Sequence, residues 1–121
     1  MKECILVIDD IPAVLDVVQS VLERESYEVI TATDGSSALE QIKIRMPDLI
    51  LLDLSMPIMN GYEFIEQFRQ RYQQAESIPI ILLTALKLTH NEIERLKVAG
   101  YLQKPFHRKD LLSRISELLR G

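Results

Sequence analysis

At 121 residues the chain has room for one compact domain and little beyond it. Apolar residues make up 47% and charged residues 26%, a balance that supports a self-sufficient core. The net charge of -4 argues against unspecific binding of a phosphate backbone, and the single cysteine, Cys4, excludes an internal disulfide. No apolar run approaches the ~20 residues of a membrane span. Lys2-Glu3, with more acids close behind, does not read as a signal peptide, and the expected setting is cytoplasmic.

Taken in order, Cys4-Ile5-Leu6-Val7-Ile8 is a continuous apolar run, the mark of a strand buried on both faces, and it ends in Asp9 and Asp10. Cys4 reads as a small core residue. Pro12 suits a first helical turn, and Val14, Leu15, Val18, Val21 and Leu22 give a helix over about 12–25. Glu28 to Ala32 is a short β-branched strand. Asp34-Gly35-Ser36-Ser37 supplies turn and cap residues for a second helix carrying Ala38, Leu39, Ile42 and Met46, closed by Pro47. A third strand over about 48–53 runs from Asp48 into Asp53, and Asn60-Gly61 breaks the chain after it.

Tyr62, Ile65, Phe68 and Tyr72 mark a third helical stripe. Ile78 to Leu83 is a further apolar run, ending at Thr84-Ala85. A weaker helix over about 90–99 is expected to end at Gly100. Tyr101-Leu102-Gln103 reads as an edge strand, followed by Lys104-Pro105-Phe106 and a last helix over about 108–120. His90, His107, Arg108 and Lys109 read as surface residues, and Met56 and Met59 as loop packing. Strands alternating with helices imply an α/β fold, a parallel sheet covered by helices on both faces.

In such a sheet the C-terminal strand ends share one edge, where ligands bind. Topology therefore gathers Asp9 and Asp10 from the first strand, Asp53 from the third, Thr84 from the fourth and Lys104 from the fifth. Two unit charges 4 Å apart repel by about 4 kcal/mol at an effective dielectric of 20, so three crowded carboxylates need compensation. Lys104 supplies one cation, and a hard ion such as Mg²⁺ would supply the other. Carboxylate, hydroxyl, ammonium and metal together suit phosphoryl transfer.

Five pieces carry a family resemblance: Ile8-Asp9-Asp10, Leu52-Asp53-Leu54-Ser55-Met56-Pro57, Asn60-Gly61, Leu83-Thr84-Ala85 and Lys104-Pro105-Phe106. With them the chain resembles a receiver domain of two-component response regulators. The resemblance implies a flavodoxin-like (βα)5 three-layer sandwich, with a five-stranded parallel sheet in the order 2-1-3-4-5. It implies one receiver domain over 1–121 with no output domain, acting as a phosphoacceptor switch and not as an enzyme on a separate substrate. Asp53 would accept a phosphoryl group from a phosphohistidine of a histidine kinase or phosphotransfer protein. Mg²⁺ would be held by Asp10 directly, by Asp9 partly through water, by Asp53 and by the backbone carbonyl of Ser55.

Thr84 and Lys104 would bind phosphoryl oxygens, Tyr101 would be an aromatic switch, and Lys104-Pro105 would be cis. Ser55 and Leu86 would tune the lifetime of the aspartyl phosphate. The signal would pass to a downstream effector protein, without direct nucleic-acid contact, and a homodimer would use the face of the fourth helix, fifth strand and fifth helix. One departure stands out: Gly100 runs directly into Tyr101, which reads as a shortened loop before the last strand. Two other functions share the same residues: a Mg²⁺-dependent phosphohydrolase on a diffusible substrate, and a docking module independent of phosphorylation.

Overall fold

The computed structural model describes residues 2–120. In chain order its elements are β1 (Cys4–Ile8), α1 (Pro12–Arg24), β2 (Glu28–Ala32), α2 (Gly35–Ile44), β3 (Leu49–Leu52), α3 (Gly61–Arg71), β4 (Ile80–Thr84), α4 (His90–Leu96), β5 (Gly100–Gln103) and α5 (Arg108–Arg120). A 3-10 turn, Gln73–Ser77, lies between α3 and β4 and had no counterpart in the sequence reading. The strands form one sheet in the order β2-β1-β3-β4-β5, every neighbouring pair parallel. This is the flavodoxin-like order expected from the sequence.

The three continuous apolar runs become β1, β3 and β4, buried along their whole length. Successive strand residues face opposite sides, so each run feeds two cores. Leu6, Ile8, Ile50, Leu52 and Leu82 pack against Leu39, Phe64 and Phe68 of α2 and α3. Ile5, Val7, Leu49, Leu51, Ile81 and Leu83 pack against Leu15, Val18, Leu22, Leu111 and Ile115 of α1 and α5. The result is the three-layer sandwich.

Local chemistry sets where the helices begin. Asp34 and Asn60 are N-caps of α2 and α3, each in a reciprocal capping box with Ser37 and Glu63. Pro12 opens α1 without a side-chain cap. The expected stripe of α3 holds at Ile65 and Phe68, both buried, but not at its start. Tyr62 is 42% exposed and Tyr72 lies beyond the helix end, whereas Phe64 is fully buried and stacks on Phe68 with centroids 5.6 Å apart. The two phenylalanines sit one turn apart and offer the larger apolar surface to the sheet, so they fix the helix's rotation.

The end of α4 is also corrected. Gly100 does not stop it; Gly100 is already in β5, paired with Ile81. The helix stops at Leu96, and Lys97 takes the left-handed conformation (φ 54°) that glycine usually supplies after a helix. Three residues, Lys97 to Ala99, join α4 to β5.

Gly61 is needed for space. A Cβ there would lie 2.6 Å from the Asp53 carbonyl oxygen and 2.7 Å from the Leu54 Cα, both backbone atoms. Its N–H donates to the Leu54 carbonyl at 3.1 Å, closing the loop between β3 and α3. Gly61→Ala should cost about 1–3 kcal/mol, because backbone must shift to admit the methyl group. A urea denaturation curve checks this; an unchanged midpoint would contradict the close approach.

Candidate functional site

Backbone bonds that continue the sheet past its last paired residues bring the strand ends into line. Asp9 N–H donates to the Ala32 carbonyl at 3.1 Å, and Asp53 N–H to the Ile8 carbonyl at 3.0 Å. Lys104 N–H donates to the Thr84 carbonyl at 2.8 Å. The ends of all five strands are thereby registered before any side chain is considered.

The side chains then converge. Asp9, Asp10 and Asp53 each offer a carboxylate oxygen, and these oxygens lie within 4.8 Å of one another. Lys104 Nζ donates to Asp9 Oδ2 at 2.5 Å and to Asp53 Oδ2 at 3.3 Å. The other oxygens are aimed by the backbone: Asp9 Oδ1 accepts from Ile11 N–H at 3.0 Å, and Asp53 Oδ1 from Ser55 N–H at 3.2 Å. Asp9 is 2% exposed and Asp53 5%, while Asp10 is half-buried.

Burial alone pulls the Lys104 ammonium down, but its hydrogen bond to Asp9 and the charges of Asp9 and Asp53 outweigh it, and its pKa is raised. Lys104 is therefore a fixed cation at neutral pH. Three carboxylates formally face one ammonium, which leaves room for a further positive charge. Three hard oxygen donors at this spacing fit a small divalent cation.

Thr84 is fully buried; its Oγ1 accepts from Leu86 N–H at 3.2 Å, with no hydrogen bond to the carboxylates. Ser55 adjoins the site through its N–H bond to Asp53. Tyr101 stands apart from the acids. Its hydroxyl donates to the Leu86 carbonyl at 2.6 Å and accepts from Leu88 N–H at 3.3 Å, so it ties β5 to the loop before α4. The Lys104-Pro105 bond is cis, as expected. Contributions of the Ile8, Ala32 and Leu88 backbones had no sequence signal, since main-chain groups carry no residue identity.

The family model of the response regulator receiver domain matches residues 5–116. The chain belongs to the response regulator receiver domain family. The receiver is 37% identical over 122 residues to the alkaline phosphatase synthesis transcriptional regulatory protein PhoP of Bacillus subtilis (strain 168), covering 99% of this chain and 50% of that one. It thus spans about half the length of the curated relatives it matches. The chemotaxis response regulator CheY4 of Vibrio cholerae superimposes with TM-score 0.89 at 31% identity, covering 98% of this receiver and 100% of that chain.

The receiver domain of the sensor histidine kinase PA1611 from Pseudomonas aeruginosa PAO1 superimposes with TM-score 0.88 at 27% identity, with both chains fully covered. That structure has a magnesium ion coordinated in its active site cleft. Among the described residues of the present receiver, no helix is long and apolar enough to cross a membrane.

Charge crowding in this receiver has a measurable consequence. Asp10→Asn removes one of the three carboxylates and should stabilise the metal-free domain by about 1 kcal/mol, since Asp10 is only half-buried and partly screened. The same change should weaken Mg²⁺ binding. Thermal melts in a chelator and a Mg²⁺ titration check both; a variant no more stable than wild type would contradict the repulsion.

Proposed function

We propose that this receiver accepts a phosphoryl group on Asp53 and signals through the surfaces that the modified site biases. The observation that carries the reading is the three-carboxylate cluster bridged by Lys104, in a chain of the response regulator receiver family. In the proposed step an Asp53 carboxylate oxygen attacks the phosphorus of a phosphohistidine. The new O–P bond forms as the P–N bond breaks, and the imidazole of the donor leaves with the electron pair.

This chain's residues divide the work. The Ser55 N–H holds Asp53 Oδ1, which leaves Oδ2, now bound by Lys104, as the oxygen facing the ammonium. Lys104 is placed to move from Asp53 to a phosphoryl oxygen while keeping its shorter bond to Asp9. Thr84 has a hydroxyl hydrogen free to turn toward a second phosphoryl oxygen, because its recorded bond uses the oxygen as acceptor. Asp9, Asp10, Asp53 and the Ser55 carbonyl would hold Mg²⁺, which when bound neutralises charge on the transferring group.

The donor is proposed to be a histidine kinase or a histidine phosphotransfer protein, and the recipient of the signal a downstream effector protein. Tyr101 is the proposed switch, supported by its hydroxyl reaching Leu86, two residues beyond Thr84. The outer edge of β5 pairs with no strand among the described residues, and the α4–β5–α5 face is proposed for a second copy of the chain. Domain extent over 1–121 and a cytoplasmic setting belong to the same reading, as does a role as phosphoacceptor and not as an enzyme on a separate substrate.

Incubation with acetyl phosphate and Mg²⁺, followed by intact mass, tests the central step. Wild type should gain one phosphoryl group only when Mg²⁺ is present during the incubation, and Asp53→Asn should gain none. An undiminished adduct in Asp53→Asn would overturn the assignment.

A further inference from the structure

The helix α4 is attached to the rest of the domain in an unusual way. It has seven residues and buries none of them. Leu96 at its end is only partly buried against the core. Packing therefore gives α4 little hold, and an isolated helix this short is unstable in water. Polar bonds at its two ends must do the holding, and they differ in kind.

At the N-terminal side the preceding loop is held by side-chain hydroxyls. Thr84 Oγ1 accepts from Leu86 N–H, and the Tyr101 hydroxyl bridges the Leu86 carbonyl and the Leu88 N–H. Each of these bonds depends on a rotatable side chain, and both side chains belong to the proposed signalling set. At the C-terminal side the hold is charged and forked. Arg69, in the last turn of α3, donates from Nη1 to the Leu96 carbonyl at 2.6 Å and from Nη2 to the Lys97 carbonyl at 2.7 Å.

Those carbonyls are at the negative end of the α4 dipole, where a guanidinium is favoured. Arg69 itself stands on rigid ground, since the neighbouring Phe68 and the Phe64 stacked on it are fully buried. Just beyond, Ala99 N–H donates to the Ile80 carbonyl at 2.8 Å, so the chain after Lys97 is tied to the sheet.

We propose that Arg69 is a positioning residue that pins the C-terminal end of α4, so that α4 answers the phosphoacceptor site by pivoting about that end. The inference rests on the proposed phosphoacceptor function for the signal that drives it. The pin itself is a property of the unmodified domain. A planar guanidinium can bind two carbonyls at once, which a lysine ammonium on a flexible stem does not reproduce.

Site-resolved amide exchange of the full chain tests this, in Mg²⁺ alone and in Mg²⁺ with beryllofluoride as the phosphoryl stand-in. In wild type, beryllofluoride should change exchange at Leu86 and Leu88 and leave Leu96 and Lys97 unchanged. Without beryllofluoride, Arg69→Ala should speed exchange at Leu96 and Lys97 about tenfold, the scale of a lost charged hydrogen bond. Leu6 and Leu51 in the sheet should stay protected, showing that the variant is folded. Arg69→Lys, the milder change, should fall between the two.

With beryllofluoride, the response in Arg69→Ala should spread from Leu86 to Lys97. Unchanged exchange at Leu96 and Lys97 in both variants would overturn the pin, as would a wild-type response spread evenly along α4. A wild type that shows no response anywhere overturns the phosphoacceptor reading and the pivot together. The beryllofluoride-free comparison then separates that result from failure of the pin.

Discussion

One lysine holds the acidic edge of this sheet together. Lys104 reaches both Asp9 and Asp53, carboxylates at the ends of the neighbouring strands β1 and β3. Without a cation there, carboxylates within 4.8 Å in a largely buried cleft would force the strand ends apart. The bonds are unequal, 2.5 Å to Asp9 and 3.3 Å to Asp53, and the inequality has chemical meaning. In the proposed phosphoryl transfer, Asp9 would keep the ammonium in place while Asp53, the more loosely held partner, gives up its oxygen.

The fold serves this arrangement at every level. The continuous apolar runs make central strands buried on both faces, which fixes the sheet, and the sheet fixes its C-terminal edge. Main-chain bonds from Asp9 to Ala32, Asp53 to Ile8 and Lys104 to Thr84 then hold the strand-end residues in register with their neighbouring strands. Gly61 lets α3 approach so closely that the carbonyl of Asp53 is part of the packing surface. The Asp53 backbone is thus clamped while its carboxylate stays reachable.

Beyond the cleft the structure loosens in one direction. Thr84 leads to Leu86, Leu86 to Tyr101, and the loop they share leads into α4, which has no buried residue. A segment held by side-chain hydroxyls at one end and by the Arg69 fork at the other is suited to move as a lever, with little cost in core packing. Rigid chemistry at the strand ends and a lightly held helix beside them coexist because the sheet carries the packing for both.

The sequence by itself determined the α/β alternation, the central strands and the residues gathered at their ends, because apolar runs and strand-end acids are local signals that topology merely collects. Asp9, Asp10, Asp53, Thr84 and Lys104 were all legible on that basis. Only the tertiary structure decided what depends on competition between neighbours. Phe64, and not Tyr62, faces the core because the stacked pair with Phe68 wins the rotation of α3. The end of α4 falls at Leu96, and not just before Gly100, because Lys97 turns left-handed and pairing with Ile81 draws Gly100 into the sheet. The hold of Arg69 on α4 joins residues 27 and 28 positions apart through main-chain carbonyls, which no residue identity announces.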